Sequence, residues 1–361
     1  MPSVDVVFIG DLHIGSLTNL FPDREDSDIL ILESTKPALN YARENGIKTV
    51  VLLGDIYDTP YPTQEQQSLF FDYLYRNRDL DFYIIPGNHD LELEAGVVSL
   101  HTADAITRLK LLPHVKLFLH RAEVEISGVP FTFMPWPIIK TNKKRVSINI
   151  AHVPNIGAKS DSGRVFKEGE AFKLNTAKDY WFVGDLHQHQ KSKHVVYPGT
   201  MFQKTFGEKL PKGFVFASIK FKSNKLTVKH KFIPCEPPFT LETVKIDTLD
   251  DLKKIPKYVD DPIISPHIKR FKIILGKDMV LPPNFLVDNP HVVKWDKNSK
   301  LRTVTVEDAV EVGSIRSLNM REMIYSDLKP FLAKEGLGKR EVKRGVAIVD
   351  AIVTKLGGAD G

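Results

Sequence analysis

The 361-residue sequence predicts a layered α/β core with mixed β-sheets flanked by helices, followed by a small α+β domain and C-terminal helices. Three observations predict it. From residue 4 to residue 85, short apolar runs rich in β-branched and aromatic residues alternate with amphipathic stretches, giving β–α–β–α–β units with a parallel start. Two further apolar runs flank Ser127-Gly128-Val129, which reads as a hairpin and makes the sheets mixed. The strands also end in short polar turns, and ligands of open α/β sheets sit at that edge.

Residues 4–9 form the first strand, which delivers Gly10-Asp11-Leu12-His13. With no basic residues ahead of it, this start is expected to be a strand and not a signal peptide. Ser27 or Asp28 caps a helix running to about Glu44, where Asn45-Gly46 ends it. The strand 48–53 leads into Gly54-Asp55-Ile56-Tyr57-Asp58, and Thr63 with Gln64 opens a second helix. The strand 82–85 then reaches Pro86-Gly87-Asn88-His89-Asp90. After the hairpin 123–134, strands 146–151 and 181–183 end at His152 and at Gly184-Asp185-Leu186-His187. A second hairpin spans 214–232, and Pro234, Pro237 and Pro238 mark a boundary. The expected domains are therefore 1–232, 233–305 and 306–361. The last carries helices at 318–334 and 339–356, whose apolar stripe covers either its own domain or a partner.

Composition narrows the function. At 42% hydrophobic residues the chain buries a full core, and no apolar run reaches the length of about 18 that a membrane helix needs. The single Cys235 agrees with a reducing cytoplasm. The net charge of +5 hides a segregation: residues 140–232 hold 19 Lys and Arg against 6 acids, leaving 31 against 39 elsewhere. A basic region in an otherwise acidic chain points to a polyanionic partner. Lys191, Lys193, Lys204, Lys220 and Lys222 are its candidate phosphate contacts.

Five strand ends carry Asp11/His13, Asp55/Asp58, Asn88/His89/Asp90, His152 and Asp185/His187. Carboxylate, imidazole and carboxamide together suit two divalent ions sharing one carboxylate, Mn²⁺ first and Mg²⁺ as the alternative, over thiolate-bound zinc. Two such ions, about 3.5–4 Å apart, clamp a phosphate and generate a metal-bound hydroxide for in-line attack. The seven histidines off these motifs, His194 and His230 among them, are read as structural or surface residues.

The order Asp-x-His, Gly-Asp-x-x-Asp, Gly-Asn-His-Asp, His, Gly-x-x-His over residues 1 to about 190 resembles the calcineurin-like metallophosphoesterases. Within them the chain looks most like the SbcD or Mre-eleven type of DNA repair nuclease subunit, in its bacterial or phage form. The residues that carry this are Asp11-Leu12-His13-Ile14-Gly15, Gln190, Tyr197-Pro198-Gly199-Thr200 and Phe206-Gly207-Glu208. The resemblance implies one ion on Asp11, His13, Asp55 and His187, and a second on Asp55, Asn88, His152 and Asp185. It implies that His89 protonates or stabilises the leaving oxygen and that Asp58 orients His89. That branch usually has Gly-His-x-His where this chain has Gly184-Asp185-Leu186-His187, so His187 and His189 remain an alternative ligand pair.

The resemblance also implies exonuclease and endonuclease action on duplex ends and single strands, in DNA repair and recombination. It further implies a DNA-capping small domain, an SbcC-type coiled-coil ABC ATPase partner at the C-terminal helices, and a cytoplasmic location. A homodimer is an open alternative. The rival expectations are another phosphoesterase, acting on phosphoproteins or small phosphodiesters, and a non-catalytic scaffold.

Overall fold

The computed structural model describes residues 1–297 except 22–26, 93–96, 109, 141–144, 210, 257–267, 277–278 and 283. The helices expected at 318–334 and 339–356 lie outside the described residues.

Two six-stranded sheets stack face to face. The first has the order Lys225–Cys235, Lys212–Lys222, Ser3–Ile9, Thr49–Leu52, Asp81–Ile84, Val115–Leu117. Its last four strands are parallel, and the long hairpin joins antiparallel to Ser3–Ile9. The second has the order Gln190–Ser192, Val195–Tyr197, Tyr180–Gly184, Ile148–His152, Val129–Met134, Ala122–Ile126. Its inner four strands are parallel and its two edges antiparallel. The hairpin at Ser127-Gly128 thus opens the second sheet, and both of its turn residues have positive φ, as a tight hairpin turn requires.

Strand alternation decides what each residue covers. Val7, Ile9, Val50, Leu52, Phe82 and Ile84 face the helices Lys36–Glu44 and Gln64–Arg76. Val6, Phe8, Val51, Leu53, Tyr83 and Ile85 face the second sheet. There Phe8 lies on Phe182 with ring centroids 3.8 Å apart and planes 6° apart. Each such fully buried side chain contributes about 1.5–3 kcal/mol.

The single helix expected from Ser27 to Glu44 is two helices, Ser27–Ser34 and Lys36–Glu44. Pro37 sits in the first turn of the second, where its missing N–H costs nothing, and the Thr35 hydroxyl donates to the Leu32 carbonyl at 2.7 Å. Gln64–Arg76 starts in a capping box between Thr63 and Gln66.

A small sheet follows: Phe239–Ile246, Ile268–Leu275 and Val292–Lys297, all parallel. Ile246, Phe271, Ile273 and Leu275 form its own core, while Phe239 and Leu241 pack into the large one.

Candidate metal centre

The parallel strands Ser3–Ile9, Thr49–Leu52 and Asp81–Ile84 all end at one edge, and Ile148–His152 and Tyr180–Gly184 end beside them, with Gly184 paired to His152. This edge collects Asp11, His13, Asp55, Asn88, His152, Asp185 and His187. The turns are strapped to one another. Leu12 and His13 both donate their N–H to the Asp55 carbonyl, at 3.0 and 2.8 Å. Asp90, fully buried, accepts the N–H groups of Ile56, Tyr57 and Gly87 and the Ser99 hydroxyl. Burial, then the Asp55 charge, pushes the Asp90 carboxyl up to about 6 against those hydrogen bonds. Asp90 is a brace for the turn and not a ligand.

The donors converge in two groups that share Asp55. In one, Asp55 Oδ1 lies 3.3 Å from His152 Nε2, and Asn88 Oδ1 lies 3.0 Å from the same nitrogen. His152 gives its Nδ1 proton to the Leu53 carbonyl at 2.7 Å, so Nε2 is the free end of the ring. Asp185 Oδ1 is 4.0 Å away, and its own N–H donates to Asp11. In the other group, His13 and His187 face each other Nε2 to Nε2 at 3.1 Å, and Asp55 Oδ2 lies 3.5 Å from His13 Nε2. Asp11, His13 and His187 bring ligand atoms within 4.8 Å of one another, as do Asp11, Asp55 and His152.

This geometry fits divalent ions. Both His13 and His187 spend Nδ1 on carboxylates, His13 on Asp58 at 3.0 Å and His187 on Asp161 and Glu208 at 3.0 and 3.1 Å. Imidazole Nε2 atoms, which a bound cation would hold unprotonated, carboxylate oxygens and an amide oxygen then point at common centres, which is the chemistry of a cation site. The backbone leaves room for it. A Cβ at Gly87 would stand 2.1 Å from Asp55 Oδ1, and one at Gly184 would stand 2.7 Å from Asp11 Oδ1.

Without an ion the groups hold one another's charge. Burial opposes ionisation of Asp55, but His152, then His13 and His89, outweigh it and hold its carboxyl far below the usual range. The His152 imidazole is correspondingly raised: burial works against its charge, and Asp55 and Asp11 overcome that. Burial pushes His13 down against the pull of Asp58. For His187, burial is overcome by Asp161 and Glu208, which bring it up to about 10. Burial pushes Asp185 up to about 6, with His152 opposing.

His89 stands at the rim, its ring edge-on to His13 at 4.9 Å. Its Nδ1 donates to the Asp58 backbone carbonyl at 2.9 Å, while the Asp58 carboxylate, 3.8 Å from that nitrogen, turns to His13 and Lys204. Asp58 therefore holds His89 through its main chain, because His13 and Lys204 occupy its carboxylate. His189 gives Nδ1 to the Tyr197 carbonyl and stacks on Phe232.

Of the candidate lysines, Lys204 enters the centre, with Nζ 2.5 Å from Asp58 Oδ1 and 3.2 Å from His13 Nδ1. Lys191 and Lys193 are exposed on and beside Gln190–Ser192. Lys220 and Lys222 are not brought to the centre. Lys220 pairs with Ser3, at the opposite end of the first strand from Asp11, and Lys222 lies beyond it.

The motifs do not reveal three further residues. Glu208, buried, binds His187 Nδ1 and is itself gripped by buried Lys212 at 2.6 Å, which also donates to the His187 carbonyl and the Thr200 hydroxyl. Burial is outweighed by His187 and Lys212, so the Glu208 carboxyl falls to about 2. Asp161 reaches His187 from an exposed loop. Glu208 was visible only as part of Phe206-Gly207-Glu208, and nothing in the spacing joins it to His187.

Among curated proteins the chain is similar to exonuclease subunit 1 of Enterobacteria phage T4, 25% identical over 225 residues, covering 58% of this chain and 63% of that one. It is similar to the SbcD component of the SbcCD nuclease of Staphylococcus epidermidis, 23% identical over 290 residues, covering 69% and 74%. The corresponding component from Staphylococcus saprophyticus is 25% identical over 281 residues, covering 66% and 71%. The calcineurin-like phosphoesterase family model matches residues 4–189. That span begins with the first strand and takes in Asp11, Asp55, Asn88, His152, Asp185 and His187, so the chain is a metal-dependent phosphoesterase and belongs to the calcineurin-like phosphoesterase family.

Proposed function

We propose that the chain is a two-metal DNA exonuclease and endonuclease subunit acting on duplex ends and single strands, in repair and recombination, beside an SbcC-type ATPase. The observation that carries the reading is Lys204. It sets a cation against Asp58 at the mouth of the centre, where a phosphate of a polyanion would lie. The names of the relatives, a phage exonuclease subunit and two components of SbcCD nucleases, support it. So does the basic segment 140–232.

One ion is assigned to Asp11, His13, Asp55 and His187, and the other to Asp55, Asn88, His152 and Asp185, with Mn²⁺ preferred. Bound there, the ions supply Lewis acidity toward the phosphoryl oxygens and lower the pKa of water. The protein's own groups do the rest. Asp55 offers one oxygen to each group. His89, with Nδ1 fixed on the Asp58 carbonyl and its ring partly exposed, is left with Nε2 to give a proton to the leaving oxygen. Lys204 neutralises a non-bridging phosphate oxygen and orients the diester. Residues 233–305 are proposed to cap the DNA and residues 306–361 to bind the ATPase.

A cleavage assay on linear duplex and single-stranded DNA with Mn²⁺, Mg²⁺ or chelator, with and without the ATPase, tests this. Metal-dependent cutting of both substrates is expected. Turnover of small phosphodiesters or phosphopeptides with intact DNA would move the chain to another branch of the family.

A further inference from the structure

The edge strands of the two sheets meet in a seam lined by rings. His189 lies flat on Phe232, with centroids 4.1 Å apart and planes 7° apart, and its hydrogen bond to Tyr197 fixes it there. Two residues away on the same face of Lys225–Cys235, about 6.6 Å along the strand, His230 packs against Tyr180 at 5.8 Å and Phe182 at 6.4 Å. Exposed His194 then lies on Tyr180 at 5.0 Å and 22°. Tyr180 and Phe182 are core residues and Phe232 packs on that core. The imidazoles of His189 and His194 are thus laid on a fixed floor.

In the chain between His189 and His194, Lys191 and Lys193 are exposed. Lys191 lies in the edge strand Gln190–Ser192, which starts directly after His189, and burial, then the Lys191 charge, hold His230 below its usual range. The only acid from Leu186 to Phe232 is Glu208, which is buried against His187 and Lys212, so no carboxylate of this segment competes for those lysines. Lys229 and Lys231 alternate with His230 and Phe232 and point to the other face of the sheet. Neither the metal centre nor the core uses the exposed imidazole.

We propose that this seam is a binding site for unpaired nucleotides of a single strand. His189 and His194 are the surfaces on which bases stack, and Lys191 and Lys193 contact the phosphates. His189 is two residues past His187, and His194 is level with the start of Tyr180–Gly184, so the strand runs from the metal centre to the far end of that strand. Planar rings beside a basic track bind single strands without base preference, whereas duplex bases are already stacked on each other. The inference rests on the nucleic-acid reading above and adds where an unpaired strand lies.

The test is equilibrium binding in EDTA of a fluorescent oligothymidylate and of an abasic deoxyribose-phosphate strand of equal length. The wild-type protein binds the oligothymidylate more tightly. His194→Ala weakens that binding by roughly 5- to 10-fold, the loss of one stacked base, and leaves the abasic strand unchanged. His189→Ala in the same chain deepens the loss, and His194→Phe restores binding. Lys191→Ser with Lys193→Ser weakens both strands and flattens the salt slope by about 1.4, at ~0.7 per phosphate contact on single strands. Equal wild-type binding of both strands, or unchanged binding by the histidine variants, overturns the proposal. Mn²⁺-dependent cutting of single-stranded DNA is scored separately. Cutting with indifferent histidine variants removes the seam alone, and failure to cut any nucleic acid removes the function reading and the seam with it.

Discussion

In the half of the centre built on His13 and His187, each imidazole nitrogen that faces away is answered by a carboxylate: Asp58, Asp161 or Glu208. In the half built on His152, the same task falls to the Leu53 backbone carbonyl. The first half adds two cations, Lys204 on Asp58 and Lys212 on Glu208; the second gathers Asp55, Asn88, His152 and Asp185, with Asp11 Oδ1 3.4 Å from His152 Nδ1. A carboxylate behind a ligand raises its basicity and disappears with one substitution, whereas a main-chain carbonyl survives any substitution. Ion affinity in the first half is therefore adjustable through carboxylates outside the ligand set, and in the second through the candidate ligands of the two groups themselves.

The most damaging test of that contrast is Asp55→Asn, because Asp55 serves both halves. Calorimetric Mn²⁺ titration should show both ions lost, and phosphodiester hydrolysis should fall to background. His89→Ala belongs to neither half; turnover should drop about 10²–10⁴-fold while Mn²⁺ affinity stays within a few-fold of wild type. Metal loss equal to that of Asp55→Asn would return His89 to the ligand set. Asp185→Ala should remove only the ion of the His152 half, with His189→Ala retaining both; the reverse ranking would make His187 and His189 the pair. Glu208→Ala should weaken the ion of the His187 half by roughly 10–100-fold and leave the other untouched.

The smallest expected effect is a pH dependence. The folded Glu208 carboxyl titrates near 2, against 4.5 in the unfolded chain. Its stabilisation is therefore fully present above about pH 4.5 and is lost as pH falls toward 2, a change on the order of 1–3 kcal/mol. Urea unfolding in EDTA should show the gap between wild type and Glu208→Gln closing across that window. A constant gap would place the benefit of Glu208 in packing.

The candidate ligands could be picked out in the sequence because each follows a recognisable strand by one to four residues, and the structure brings them to one edge because parallel strands end together. The hairpin at Ser127-Gly128 was legible for the same local reason. Pro37 carried the signal for the helix break at Thr35, but the continuous apolar periodicity on either side masked it. Glu208 reaching His187 was not legible, since the contact depends on how a loop returns to the centre. Nor was the remoteness of Lys220 and Lys222. It follows from the antiparallel register of Lys212–Lys222 against Ser3–Ile9, which residue types do not encode. The same register separates Lys204, inside the centre, from lysines only sixteen and eighteen residues later.

His13, Asp55 and Asp185 all hold left-handed backbone, with φ of 50°, 46° and 92°. A residue other than glycine in that region costs about 1–3 kcal/mol, and a typical domain has a margin of only ~5–15 kcal/mol. Ions that bind the folded state alone return that cost by mass action. Divalent metal would then stabilise the fold as well as complete the centre, so metal supply would bear on the lifetime of each molecule as well as on its rate.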